Sequence, residues 1–412
     1  MTEEVARRAA EAAARASYGR LLALLAARTR DIAAAEDALA EAFAAALVAW
    51  PRNGVPANPD AWLMTVARNR LLNEHRHGRV RDAASAELLR RQEQAGDRDD
   101  ALPDERLGLL FACAHPAIDA AIRTPLMLQA VLGLDAARIA GAFLVPPATM
   151  GQRLVRAKAR IRDAGIRFVV PGPEVMPERL AHVLDAVYAA YGVAWDTVGA
   201  AGPEPGRGGL AEEAIFLGRL LVALLPGAPE AKGLLALMLY CEARRAARRG
   251  PDGAFVPLAA QDPRLWDAAM IREAEALLVE ASRAGVFGRF LCEAAVQSVH
   301  VGRAVRGFTD HAALRVLYDL LVAHVPTLGA RVARAAALLE AGDVAAASDA
   351  LDEAAGLAGG PGAVATYQPY WATRARVLAR LGDEPGGKAA LATAIGLTSD
   401  DAVRRFLQRC VR

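Results

Sequence analysis

Between Tyr18 and Trp50 the apolar residues return every third or fourth position: Leu21, Leu24 and Leu25, then Leu39, Phe43, Leu47 and Trp50. That spacing marks one face of a helix rather than the alternation of a strand. The pattern recurs along most of the 412 residues, and much of it is carried by alanine, the strongest helix former. Aromatic residues make up only 5%, and runs of β-branched residues are few, so little in the chain favours a sheet. The fold class predicted is all-α.

A chain this long exceeds one ordinary domain of roughly 100 to 200 residues, and two or three domains are expected. Hydrophobic residues at 54% against charged residues at 23% leave ample material for packed cores. The net charge is only +2, so binding to a polyanion has to come from local clustering. Cys113, Cys241, Cys292 and Cys410 are far apart, form no C-x-x-C pair and read as reduced core thiols. The N-terminal MTEEVARRAAEAAARAS lacks the apolar core of a secretory signal, and no apolar run approaches the ~20 residues of a membrane span. A cytoplasmic chain without membrane contact is expected.

Punctuation divides the chain. Asp31 is placed to start a helix that runs to Trp50, and PRNGVPANPD (51–60) then reads as a loop that can be neither helix nor strand. From Asp60 a helix resumes and becomes basic, with Arg68, Arg70, Arg76, Arg79 and Arg81 opposed only by Glu74. Residues 83–100 carry dense mixed charge without an apolar face and read as a tether. Further helices follow to residue 170, and the three prolines of PGPEVMP (171–177) mark the clearest boundary. Residues 178–412 form a long helical series that ends in an internal echo. LLEAGDVAAASDALDEAAGL is answered by LARLGDEPGGKAALATAIGL at an offset of 40 residues, which suggests a short tetratricopeptide-like array suited to holding another protein.

Chemistry concentrates in two places. In ARIAGAFLVPPATMGQRLVRAKARIR (137–162), a short helix from Asp135 to Phe143 meets a tight turn, and Pro147 is a good first residue for a second helix. Met150, Leu154, Ala157 and Ile161 fall on one face of that helix, and Thr149, Gln152, Arg153, Arg156 and Arg160 on an adjacent one. Arginine can bridge guanine O6 and N7, glutamine can pair with adenine, and either can hold phosphate. The plain alternative is a solvated basic face on a surface helix. The second place is the Asn-bearing loop after Trp50, where Asn53, Asn58 and Trp62 could hold an unpaired base by hydrogen bonding and stacking; a core tryptophan is the plainer alternative.

Catalysis has little support. No phosphate-binding G-x-x-x-x-G-K-[ST], nucleophile elbow G-x-S-x-G or zinc-binding H-E-x-x-H is present, and His75 and His77 have no partners at metal-ligand spacing. Neither cofactor nor metal is expected, and the chain reads as a non-enzyme.

These residues carry a resemblance. DIAAAEDALAEAFAAALVAW followed by NPDAWLMTVARNRLLNEHRHGR resembles region 2 of bacterial sigma factors of the extracytoplasmic-function (ECF) group, and GLDAARIAGAFLVPPATMGQRLVRAKARIR resembles their region 4. With LPDERLGLLFACAHPAID, LLALMLYCEARRAAR, QDPRLWD and the terminal echo, the chain resembles the subgroup that carries a long tetratricopeptide-like C-terminal extension.

The resemblance implies region 2 at 1–82, a linker at 83–100, region 4 at 101–170, a second linker at 171–177 and the extension at 178–412. It implies that the helix from Ala35 to Trp50 docks on core RNA polymerase, with Glu36, Asp37 and Glu41 on its exposed side. The loop from Arg52 to Asn58, including Asn53, and the helix from Trp62 to Arg76, including Arg68 and Asn69, would read and open the minus-ten element of promoter DNA. Thr149, Gln152, Arg153, Arg156 and Arg160 would meet the minus-thirty-five element. A regulatory protein on the C-terminal repeats is a further implied partner. A helical-repeat scaffold with an incidental basic helix, or an ordinary helix-turn-helix regulator, are the competing readings.

Overall fold

The computed structural model describes residues 3–77, 104–143, 145–196, 208–357 and 364–410. The expected tether at 83–100 lies outside them. The regular structure of the described residues is helical, and the sole β feature among them is an isolated antiparallel bridge between Arg249 and Phe255. The all-α expectation holds. Two compact units form, Met1–Val193 and Ala194–Arg412.

The first unit contains α1 (Glu3–Thr29), α2 (Ile32–Asn53), α3 (Pro59–His77), α4 (Arg106–Cys113), α5 (Ala120–Leu132), α6 (Ala136–Ala142), α7 (Pro147–Asp163) and α8 (Met176–Asp196). Asp31 starts α2 as expected, its carboxylate accepting from the Ala33 and Ala34 amides at 2.9 and 3.2 Å. Most of the apolar stripe read from Leu21 to Trp50 turns inward, with Leu21, Leu24, Leu25, Leu39 and Trp50 buried among α1, α2 and α3, but Phe43 is half-buried and Leu47 is exposed. Each fully buried leucine contributes about 2 kcal/mol by area removed from water.

Two expectations need correction. The stretch 51–60 is not all loop: α2 continues through Asn53 with Pro51 in its last turn, and α3 begins at Pro59. Pro51 removes one ladder donor close to the helix end, where little remains to be disrupted. Gly54, at φ 90°, then closes the helix by donating its N–H to Trp50 O at 3.0 Å. The cysteines are also not uniformly core residues: Cys113 and Cys292 are buried, Cys241 is partly covered and Cys410 is exposed.

α7 has already ended at Asp163, before the prolines at 171–177, and those prolines do not end the unit. Beyond them α8 packs back, burying Val183, Leu184 and Val187. Thr124 Oγ1 donates to Ala186 O at 3.1 Å, and Arg179 Nη2 to Phe111 O at 2.8 Å. Proline stops a helix locally, whereas a domain boundary is a fall in packing, and that fall comes after Val193.

The second unit begins with α9 (Gly208–Leu224), α10 (Pro229–Glu242), α11 (Ala268–Ser282), α12 (Arg289–Val301), α13 (Arg303–Arg306) and α14 (His311–His324). It closes with α15 (Leu328–Glu340), α16 (Val344–Leu357), α17 (Gln368–Leu381), α18 (Glu384–Leu397) and α19 (Asp401–Arg409). Every residue of α10 from Ala231 to Tyr240 is buried, making it the central post of the unit's first half. Glu230 at its start caps a neighbour, accepting from the Phe290 and Leu291 amides of α12 at 3.1 and 3.0 Å.

The internal echo is a structural repeat. Gly342 and Gly382 have φ 88° and 82°, a region in which a residue with a Cβ is strained. In each copy the next amide reaches back 3.0 Å, Asp343 N to Leu338 O and Asp383 N to Leu378 O. Each aspartate then caps the following helix, through the Ala346 amide at 3.1 Å and the Gly386 amide at 2.9 Å. Two helix pairs, α15–α16 and α17–α18, are closed by one turn design. No described helix is long and apolar enough to cross a membrane.

Candidate nucleic-acid interface

On α7 the expected division of faces is present. Met150, Leu154, Ala157 and Ile161 are buried, while Gln152, Arg153, Arg156 and Arg160 are exposed and Thr149 is half-buried. Asp135 caps α6 through the Arg138 amide at 2.8 Å, and Val145 N donates to Ala140 O at 3.0 Å, fixing the turn between the helices. Pro147 sits at the first turn of α7 as expected. An exposed Val155 lies among the polar residues of this helix.

At the other place, the end of α2 and the start of α3 meet at the Trp50–Trp62 contact, while Arg68, Asn69 and Arg76 lie farther along α3. Arg52 and Asn53 are exposed on the last turn of α2 rather than in a loop. Asn58 is engaged structurally, its Oδ1 accepting from the Ala61 amide at 3.0 Å as a helix cap. Trp62 stands edge-on to the buried Trp50, ring centroids 5.6 Å apart at 65°, so both the core role and an accessible edge coexist in one half-buried ring. Arg68 is half-buried and Asn69 exposed; Arg76 belongs to the last turn of α3, and its side chain lies outside the described residues.

The acidic residues of α2 divide. Asp37 and Glu41 are exposed, with Glu41 2.6 Å from Arg70 of α3. Glu36 is not on the exposed side: its side chain is 17% accessible and accepts a hydrogen bond from Lys158 of α7, itself 9% accessible. Burial pushes the Glu36 carboxyl above the usual glutamate range, and Lys158 pulls it the other way. A second link runs from Arg162 to Asp31 at 3.6 Å. The sequence reading of α7 assigned Lys158 to neither face. Its spacing held the signal, since it stands four residues after buried Leu154 and so on the packed face.

Residues 14–81 match Sigma-70 region 2, covering α1 from its middle onward together with α2 and α3. Residues 179–282 match a family of unknown function (DUF6596). No solved structure matches the chain. The chain is 39% identical over 299 residues to "Uncharacterized protein R00370" of Rhizobium meliloti (strain 1021), covering 71% of this chain and 70% of that one. Identity at that level across more than two-thirds of each sequence places the chain in one family with the Rhizobium protein, and its Sigma-70 region 2 supports an RNA polymerase sigma factor.

Proposed function

We propose that the chain is a promoter-specific initiation factor of the extracytoplasmic-function group, acting in the cytoplasm without catalytic activity of its own. The observation that carries this reading is an order of parts. A Sigma-70 region 2 is followed, within the same compact unit, by a short helix, a fixed turn and a second helix whose exposed face holds Gln152, Arg153, Arg156 and Arg160. In this reading α6 and α7 form the helix-turn-helix of region 4, and α7 enters the major groove at the minus-thirty-five element. The exposed ends of α2 and α3, with Arg52, Asn53 and the edge of Trp62, act on the minus-ten element as it opens. Asp37 and Glu41 serve the polymerase surface.

The second unit is a regulatory extension whose paired helices offer a surface to a partner protein. The polymerase supplies the chemistry of RNA synthesis, so the factor contributes position and strand opening alone. Co-purification with core RNA polymerase, followed by run-off transcription on a promoter selected from random sequence, tests the proposal. A scaffold would neither bind core polymerase nor restore promoter-dependent transcripts. A conventional regulator would bind duplex DNA without core polymerase.

A further inference from the structure

Between α10 and α11 the chain makes a short hairpin, in which Gly250 N donates to Ala254 O at 2.9 Å, Val256 N donates to Arg248 O at 3.0 Å and Gly253 turns at φ 74°. Residues opposite each other across an antiparallel pair share one face, so the Arg249–Phe255 bridge sets a guanidinium over a ring, 6.0 Å from its centroid. That face meets the last helix of the unit. Arg249 Nη2 donates to Asp400 Oδ2 across 151 residues of sequence, each side chain 19% accessible. Phe255 stands edge-on to Phe406 of α19, ring centroids 5.4 Å apart at 69°.

The intervening helices contact one another in series, α10 with α12, α12 with α14, and then α14 through α19 in order. An array of stacked helix pairs ordinarily touches only its neighbours, which leaves its two ends apart. Here the hairpin after α10 holds the last helix, and the series closes into a ring. The closing helix cannot stand alone. α19 has 9 residues, fewer than the ~12–15 at which an isolated helix is marginal in water, and of these only Ala402 and Leu407 are buried. Its first turn depends on Asp400, whose Oδ1 accepts from the Ala402 and Val403 amides at 2.8 and 3.2 Å while Oδ2 accepts from Arg249. The same carboxylate caps the helix and closes the ring.

We propose that α19 is a latch, folded when the ring is closed and unravelled when Arg249 releases Asp400, so that helix formation and ring closure are a single event. Release uncovers Ala375 of α17 and Leu391 and Ala394 of α18, which form one apolar cluster with Leu407 of α19. The closure is lightly held. Arg249 Nη1 is buried without a hydrogen-bond partner, and segments with few buried contacts are those that open locally. Closure and release belong to the second unit alone and do not depend on the promoter-reading proposal.

Hydrogen–deuterium exchange of the full chain tests the latch, with peptides from the hairpin, from α19 and, as an internal reference, from α15–α16. Arg249→Gln is expected to raise exchange about tenfold in the hairpin and in α19 together and to leave α15–α16 unchanged, because the lost hydrogen bond joins charged groups. Asp400→Asn keeps an oxygen for the cap but loses the charge, and should do the same. Arg249→Gln/Asp400→Asn should add nothing to either single change, since both break one interaction. Phe255→Ala should also speed exchange in α19, although it alters only the hairpin, whereas Arg405→Gln at an exposed position of α19 should not. A hairpin that exchanges fast beside a protected α19 would show that the helix is held by its own packing. Unchanged exchange in Asp400→Asn would show that the cap alone suffices. Either result overturns the latch, as would additive effects in the double variant or acceleration that spreads to α15–α16.

Discussion

Lys158 of α7 donates to Glu36 of α2 across 122 residues of sequence, and both side chains are largely withdrawn from water. The pair joins the recognition helix proposed above to the helix proposed to dock on polymerase. Glu36 Oε1 is buried without a hydrogen-bond partner, so the carboxylate depends on Lys158 for its compensation.

Removing one member of such a pair strands the other charge, whereas replacing both with neutral groups of similar size does not. Lys158→Met is therefore expected to destabilise the first unit by about 2 kcal/mol, and Glu36→Gln/Lys158→Met to recover most of that loss. Hydrogen exchange in α2 and α7 peptides measures both. Additive losses in the double variant would show that the two side chains are not coupled.

The exposed acids of α2 are expected to behave differently from the buried one. Asp37→Ala and Glu41→Ala should weaken binding to core RNA polymerase, and Glu36→Gln should leave it nearly unchanged because that side chain already faces α7. Equilibrium binding of labelled protein to core polymerase reports the order of effects, and a larger loss from Glu36→Gln would reverse the assignment.

Strand opening gives a third test. Arg52→Ala and Asn53→Ala alter exposed residues whose side chains make no hydrogen bond or ion pair among the described residues, so they should preserve stability and polymerase binding while reducing permanganate reactivity of melted thymines. Asn58→Ala is a poorer probe, since loss of the α3 cap costs about 1 kcal/mol of stability by itself. Full thymine reactivity in the Arg52→Ala/Asn53→Ala protein would remove that turn from the opening machinery.

The second unit carries a pH dependence at His300. Burial, then the positive charge of Arg244 and the neighbouring His311 and Arg303, lowers its pKa from 6.5 to about 4. Between those values the unfolded chain binds the extra proton and the folded chain does not, so stability is complete above about pH 6.5 and falls as pH drops towards 4. The loss amounts to about 3 kcal/mol at the lower end. Urea denaturation at pH 7 and pH 4.5 should show His300→Gln losing less stability than the unsubstituted protein; equal losses would mean that the ring is solvated.

Truncation should respect packing rather than proline content. A fragment ending at Val193 is expected to unfold cooperatively, because it keeps α8 with Val183, Leu184 and Val187 in place. A fragment ending at Val170 loses those contacts and leaves Thr124 Oγ1 without its acceptor, so it should melt at lower temperature. Run-off transcription by residues 1–193 should fall severalfold relative to the full chain with promoter preference unchanged. Equal output from the two would deny the second unit a role in initiation.

What the amino-acid order determined alone is local. Helical period, the Asp31 and Asp135 caps, the Pro147 start and the paired Gly–Asp turns each depend on interactions within a few residues, so they are legible in a single sequence. So is the sorting of α7 into an apolar and a basic face, because side-chain direction on a helix follows position. Tertiary structure decided the rest. It turned Glu36 inward by bringing Lys158 against it, paired Glu41 with Arg70, and set the unit boundary after Val193 through the return of α8. It also sorted the cations of one helix, pairing Lys158 and Arg162 with carboxylates of α2 and its cap and leaving Arg153, Arg156 and Arg160 exposed. Charges of one residue type look alike in sequence; which of them is neutralised depends on carboxylates that only folding brings near.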